Sequence, residues 1–354
     1  MTKQNYFNKR LINIPTNIIS FLTAIDELKG RWGAGVTLHP HVLSRLKQSV
    51  LITSTGASTR IEGSQLSDED IETLMRGIKL QKFKDRDSQE AKSYYELLKN
   101  IFNSWQTIKL SESTIKHFHK ELLKYVEKDA FHRGEYKQVD NQVRMMDDKG
   151  NIIGTIFATT PAYLTPIEMR DLVEWTTKEL NNKHYHPLLI IGNFIVEFLK
   201  IHPFKDGNGR VSRILTNLLL LQAGYLFIPY ISHEKIIEDN KSEYYLALRK
   251  TQKTFKSKSE EIISWLNFFL NTLLTQSKMA LDLLYSENIE KILSKKQLLV
   301  WEYLQKVKDS GPLEISEKTL VAHATVKQAL QKILQLKKIE RIGMGRSTRY
   351  RVIQ

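Results

Sequence analysis

The chain has 354 residues with no cysteine, 16 glycines and 8 prolines, and 41% of it is hydrophobic. Glycine plus proline falls well below the roughly 12% of average usage, which excludes collagen-like and low-complexity sequence, while the apolar share excludes a wholly disordered chain. Without cysteine there is no disulfide framework, Cys-ligated metal or thiol nucleophile, and the net charge of +14 permits acidic partners.

Taken from the start, MTKQNYFNKRLINIPTN has no apolar core of signal-peptide length, and the longest apolar run, around 218–221, is broken by Gln222, Gly224 and Pro229. The expected setting is therefore cytoplasmic, with no membrane contact. Helical spacing recurs at Ile18, Leu22, Ile25 and Leu28, and again at Leu43, Leu46 and Val50. Further helices are expected over 89–105 and 113–126. The stretch 142–157 breaks this pattern: two extended runs flank an Asp-Asp-Lys-Gly-Asn turn, which predicts a β-hairpin. A lone hairpin is not stable in water and must lean on helices, as a structural or a functional flap. Helical stripes resume at Leu172, Trp175 and Leu180 and at Leu188, Ile191, Ile195 and Phe198, with helices expected over 211–223, 242–252 and 260–285.

Residues 286–354 carry 14 basic against 7 acidic side chains. They read as a helix at 297–307, a turn at Gly311, a short helix at 316–322, a helix capped by Thr325, and a hairpin over 339–352 turning at 343–347. That order predicts a winged-helix domain whose helix 325–337 would face a groove. For base edges it offers only Lys327, Gln328, Gln331 and Lys332, while Arg341, Arg346, Arg349 and Arg351 lie on the ribbon. Protein binding or dimer formation is therefore preferred to DNA binding for this module. Three regions are expected: 1–110, 111–285 and 286–354.

The most informative residues are HPFKDGNGR at 202–210, followed by Val211, Ser212 and Arg213, between two apolar-striped helices. Gly207 and Gly209 allow positive φ and turn successive N–H groups toward one point at a helix N-terminus, forming an anion cradle with Asn208 between them. Arg210 adds a bidentate cation, and Arg213, one turn on, reaches a second phosphate. Asp206 is the hard oxygen ligand that a Mg2+ bridging two phosphates requires. His202 has an ordinary pKa of about 6.5 and can take a proton from a hydroxyl, and Phe204 plugs the loop into the core. Alone, His202 in line with Phe198 would read as a packed core histidine; the joint spacing overrides that reading.

At these residues the sequence resembles the Fic family, whose motif H-x-F-x-[D/E]-G-N-G-R-x-x-R is met in full. The resemblance spans about two thirds of the chain and implies a mainly α fold: a Fic-type helical bundle with a β-hairpin flap, here followed by the C-terminal winged helix. It implies a Mg2+-dependent protein adenylyltransferase that moves AMP from ATP to a Ser, Thr or Tyr hydroxyl of a target protein or of the chain itself. His202 would be the base and Asp206 the Mg2+ ligand. Gly207, Asn208, Gly209 and Arg210 would surround the α- and β-phosphates, and Arg213 would lie near the γ-phosphate. Gly154, Thr155, Ile156 and Phe157 would form the flap strand that pins a target segment by strand pairing, although Thr159-Thr160-Pro161 departs from the family's usual prolines. Tyr244 and Tyr245 match a tyrosine pair lining the adenine pocket, with core packing as the alternative. Gln252 stands where the family often has Asn.

Upstream, STRIEG at 58–63 resembles the family's inhibitory motif [S/T]-x-x-x-E-[G/N], with Ser58 and Glu62 on one helical face and Gly63 as a stop. The otherwise plain reading is a surface helix end. A Glu62 carboxylate paired with Arg213 would occupy the γ-phosphate position and gate the activity, and the same Glu would orient water for AMP removal. The expected partners are a hydroxyl-bearing target, a second copy of the chain, and DNA through the winged helix. The competing reading is a winged-helix DNA-binding regulator whose Fic body senses nucleotide.

Overall fold

A helix that is apolar on nearly every face can only sit in the middle of a protein, and residues 187–201 (PLLIIGNFIVEFLKI) are such a helix. The computed structural model describes all residues except 1–2, 36–39, 78–85, 147–151, 256, 258, 337, 344, 346–347 and 354. The turn of the expected flap and residue Arg346 of the expected wing thus lie outside the described residues. The chain divides into two compact units, Met1–Leu281 and Asp282–Gln354.

The first unit runs α1 (Lys3–Lys9), α2 (Thr16–Gly35), α3 (Pro40–Ile61), α4 (Asp68–Met75), α5 (Arg86–Ser104) and α6 (Glu112–Leu122), followed by a 3-10 turn, Glu127–His132. Next come β1 (Gln142–Met146) and β2 (Ile152–Ala158), then α7 (Thr165–Asn182), α8 (Pro187–Ile201), α9 (Asn208–Gln222), α10 (His233–Asp239), α11 (Lys241–Thr254) and α12 (Ile263–Ile292), whose residues from Asp282 on belong to the second unit. Helix α8 starts on Pro187, whose missing N–H costs nothing at that position, and every residue from Leu188 to Ile201 is buried. It packs between α7 and α9. Helix α6 ends at Leu122, earlier than the sequence suggested, and 123–126 turn away.

The strands β1 and β2 pair antiparallel, with Met145 opposite Gly154, Arg144 opposite Thr155 and Val143 opposite Phe157. The register shifts between Val143 and Arg144, so Ile156 has no opposite partner. Each described sheet has two strands, and β2 runs beside α11.

The second unit continues with α13 (Lys295–Leu304), α14 (Pro312–Thr319) and α15 (His323–Gln335), then β3 (Ile339–Ile342) paired antiparallel to β4 (Arg349–Val352). A single bridge joins Ser310 to Tyr350. Val300, Trp301, Ile315, Val326, Leu330, Ile333 and Ile339 form its own core. Two boundaries correct the sequence reading. Helix α14 starts at Pro312 rather than 316, because Gly311-Pro312 serves as N-cap and N1 instead of a turn. Thr325 is not the cap of α15: Leu320 at φ 55 reverses the chain early, Ala322 becomes the cap, and Thr325 lies inside the helix. On the ribbon Arg349 pairs with Asp309 and Glu314, Arg351 pairs with Glu340, and Arg341 donates to Thr348. Lys327, Gln328 and Gln331 are exposed and Lys332 is half-buried.

Gly192 marks a close helix crossing in the first unit. A Cβ there would lie 2.7 Å from Leu266 Cδ2 and 3.3 Å from Phe269 on α12, and Trp265 Nε1 donates to the Gly192 carbonyl at 2.8 Å. Gly192→Val should therefore lose about 1–3 kcal/mol by overpacking, read as a lower urea midpoint. An unchanged midpoint would show that the crossing relaxes freely.

Candidate active site

Helix α8 ends on a residue that is not glycine: His202 has φ 53 and ψ 60, and its N–H donates to Phe198 O at 2.9 Å. The His202 Nδ1 lies 3.2 Å from Leu199 O. A carbonyl only accepts, so Nδ1 carries the proton and Nε2 keeps its lone pair. Burial pushes the imidazole down to about 4, leaving it neutral at pH 7.

The loop that follows is built backbone first. Asn208 Oδ1 accepts from Phe204 N at 2.9 Å and its Nδ2 donates to Phe204 O at 2.8 Å, so one amide closes the turn. The Phe204 ring, fully buried, stacks on His119 with centroids 3.9 Å apart. His119 Nδ1 accepts from Gly134 N at 2.9 Å, which puts its proton on Nε2, 3.2 Å from Asp206 O. Gly207 adopts φ 77, and α9 begins at the next residue. Of the two glycines expected at positive φ only Gly207 is there: Gly209 lies within the first turn of α9, where its missing Cβ makes room for Glu62, and the first amides of α9 have no carbonyl partner inside the helix.

Both arginines of α9 are buried and already hold anions. Arg213 donates from Nε to Ser58 Oγ at 2.8 Å and from Nη2 to Ser58 O at 3.0 Å and Glu62 Oε1 at 2.8 Å. The Glu62 carboxylate also lies against Gly209, where any Cβ would collide with Oε1. Glu62 sits just past the end of α3, in a turn closed by Gly63 at φ 106, so it and Ser58 approach Arg213 from the helix terminus. Arg210 pairs with Glu90 and, at 3.4 Å, with Asp206. Arg86 bridges Asp206, Glu90 and Asp129. Burial works to raise the Asp206 carboxyl, but Arg210, the Gly207 amide and Arg86 outweigh it and hold it below the usual range. Arg210 Nε and Arg213 Nη1 have no hydrogen-bond partner.

Tyr244 packs into an aromatic cluster with Trp265 and Phe268 of α12, at 5.9 and 5.6 Å. Tyr245 lies edge-on to it at 5.1 Å, its hydroxyl 3.5 Å from Ile61 O. Tyr244 is buried, its hydroxyl meets Arg213 and Ser212, and Tyr245 stands beside the end of α3. Gln252 is 8% exposed with neither amide atom partnered. Gly154, Thr155, Ile156 and Phe157 all lie on β2.

Several contributors escaped the sequence reading. His119 showed only as a polar residue in the apolar stripe of Ile115, Phe118 and Leu122. Arg86 and Glu90 show in the sequence only an i, i+4 spacing, which marks nothing by itself. Nothing marked Arg60, which pairs with Asp68 at 3.0 Å and Glu238 at 2.5 Å and fixes the end of α3.

The start of α9 thus carries two buried arginines paired with carboxylates, and α8 ends on the neutral His202 just before it. The sequence model of the Fic/DOC family matches residues 109–220. A probable protein adenylyltransferase of Aquifex aeolicus (strain VF5) is 38% identical over 86 residues, 24% of this chain and 26% of that one. The protein adenylyltransferase Fic of Drosophila mojavensis is 31% identical over 146 residues, 41% and 25% of the two chains. The chain thus spans about a quarter of the length of these curated relatives. Among solved structures, a Fic family protein from Desulfovibrio desulfuricans G20 superposes with a TM-score of 0.62 at 20% identity over 96% of this chain and 97% of that one. Fic-1 from C. elegans does so at 0.62 and 17% identity, over 77% and 74%. These likenesses establish the fold. Among the described residues no helix is long and apolar enough to cross a membrane.

The folded His202 value of about 4 lies below the ordinary 6.5. The stability gained from a neutral imidazole is therefore complete above pH 6.5 and lost as pH falls toward 4. The urea midpoint should decline across that window more steeply for the wild type than for His202→Asn. An NMR titration placing His202 near 6.5 would show a solvated ring instead.

Proposed function

We propose that the chain is a protein adenylyltransferase that transfers AMP from ATP to a hydroxyl side chain of a target protein or of itself, held in check by Glu62. The observation that carries this reading is the Glu62 carboxylate bound to Arg213 at the amide-lined start of α9, a carboxylate standing where a phosphate would be cradled.

In the reaction, His202 Nε2 takes the proton from the attacking hydroxyl while its oxygen forms a bond to the α-phosphorus. The bond from that phosphorus to the bridging oxygen breaks, and pyrophosphate leaves with the electron pair. The α9 amides and Arg210 hold the α- and β-phosphates, and Arg213 takes the γ-phosphate once Glu62 withdraws. The unpartnered Arg210 Nε and Arg213 Nη1 are buried donors suited to phosphate oxygens. Gln252, with both amide atoms free of partners, would read the base edge beside Tyr245, and β2 would pair with the target segment.

Mg2+ needs few protein ligands when phosphates supply the rest. Among the described residues no group of three His, Asp or Glu side chains could hold an ion alone. The ionised and partly exposed Asp206 carboxylate fits the role of its single ligand. Bound there, Mg2+ would neutralise charge on the leaving pyrophosphate.

Three variants test the reading by incorporation of α-labelled ATP. His202→Ala should lower transfer more than tenfold with ATP binding nearly unchanged, and survival within tenfold would remove His202 from the chemistry. Glu62→Gly should raise self-labelling, and adding Arg213→Ala should abolish most of that gain. Glu62→Gly also leaves the buried Arg213 short of an anion, so its melting temperature should fall without nucleotide and rise with ATP by more than that of the wild type. A flat response in both assays would reject the gate.

A further inference from the structure

Lys137 belongs to no motif, yet it is 5% exposed. Its three ammonium protons meet three neutral oxygens: Ile201 O at 3.0 Å, Asn141 Oδ1 at 2.8 Å and Thr159 Oγ1 at 2.9 Å. Its own backbone N–H donates to Pro203 O at 2.8 Å. One residue therefore bonds to the carbonyls on both sides of His202. That histidine occupies the left-handed region, which costs an L residue roughly 1–2 kcal/mol and persists only where neighbours enforce it.

The other two acceptors are the feet of the flap. Asn141 immediately precedes β1 and Thr159 immediately follows β2, and the Thr159 hydroxyl lies 2.7 Å from Asn141 O. Asn141 Nδ2 donates to Phe204 O at 2.9 Å, and Thr160 N to Lys200 O at 3.3 Å. The carbonyls of residues 200, 201, 203 and 204 thus all accept from this junction. A hydrocarbon side chain would fill the same space at no desolvation cost. Burial instead pushes the Lys137 amine down to about 8, with Asp140 and Glu168 favouring its charge and Lys200 opposing it. The charge is retained where the C-terminal end of α8 can stabilise it.

We propose that Lys137 is a positioning residue for the transfer reaction: its ammonium locks His202 in the left-handed conformation and ties both feet of the flap to it. The hairpin that aligns the acceptor hydroxyl and the base that takes its proton then form one unit. This rests on the reading of His202 as the base.

The test uses the full chain carrying Glu62→Gly, with Lys137→Met and Lys137→Arg added singly. The methionine variant should lower kcat for AMP transfer on the order of tenfold to a hundredfold, as a small misplacement of a reacting group does. Its KM and Kd for ATP should stay within twofold, and arginine should restore at least a third of the rate. In NMR titrations, the His202 imidazole should move up from about 4 when the neighbouring cation is lost. An unchanged kcat, or equal losses in kcat and ATP binding, overturns the proposal. If Lys137→Met does not fold, Asn141→Ala is held to the same kcat and ATP-binding criteria. If the Glu62→Gly parent itself transfers no AMP, the function proposed above fails while Lys137 is judged on the titration alone, where an unmoved His202 signal overturns it.

Discussion

A guanidinium as deeply buried as that of Arg213 needs an anion beside it, because an unpaired charge in a protein interior costs several kcal/mol. Helix α9 supplies two such groups within one turn, and its unpaired first amides add partial positive charge at the same place. Three segments, two of them distant in sequence, answer that demand. Ser58 and Glu62 come from the end of α3, Glu90 from α5, and Asp206 from the loop itself. The packing of α3 and α5 around α9 is thus as much an electrostatic arrangement as an apolar one.

The histidines and the amide that shape the loop, by contrast, are neutral. Two histidines, 202 and 119, are both pushed down to about 4 by burial; the backbone takes one ring nitrogen of the first and both of the second. Had either been cationic it would have added to the repulsion already present between the arginines. The Asn208 amide closes the turn in the same way, through one donor and one acceptor with no charge. These hydrogen bonds carry no charge, while the Lys137 ammonium on the flap side bonds to neutral oxygens and takes no anion from the arginines.

That division explains what could be read from the sequence. The 202–213 motif was legible because its chemistry is local: glycine for positive φ, arginines one turn apart, a histidine at the helix end. The pairing of Glu62 with Arg213 came through the resemblance, and both side chains stand in contact as expected. Lys137, His119 and Arg60 were not legible, since their partners include backbone groups or side chains brought near only by the fold. The αL conformation of His202 was also hidden, because an L residue there is enforced by neighbours rather than by its own type. Tyr244 was half legible: the aromatic pair was visible, but only packing against Trp265 and Phe268 shows which ring faces the core. In the second unit Leu320 at positive φ displaced the start of α15 from Thr325, an exposed leucine giving no local sign of a reversal.

Within the proposed gate, Ser58 and Glu62 divide the work unequally. Ser58 is fully buried and donates nothing to Arg213; its hydroxyl and carbonyl accept from Nε and Nη2 and fix the plane of the guanidinium. Glu62 lies beyond the last turn of α3 with a side chain 36% exposed, so it can swing into solvent without moving the helix. Displacing α3 itself would break the pairs of Arg60 with Glu238 and Asp68 and the hydrogen bond from Ser54 to Ser232. Side-chain rotation is therefore the cheaper way to open the site, and it leaves Arg213 aligned by Ser58. A triphosphate, with more charge than one carboxylate, then competes for a guanidinium that is already in place.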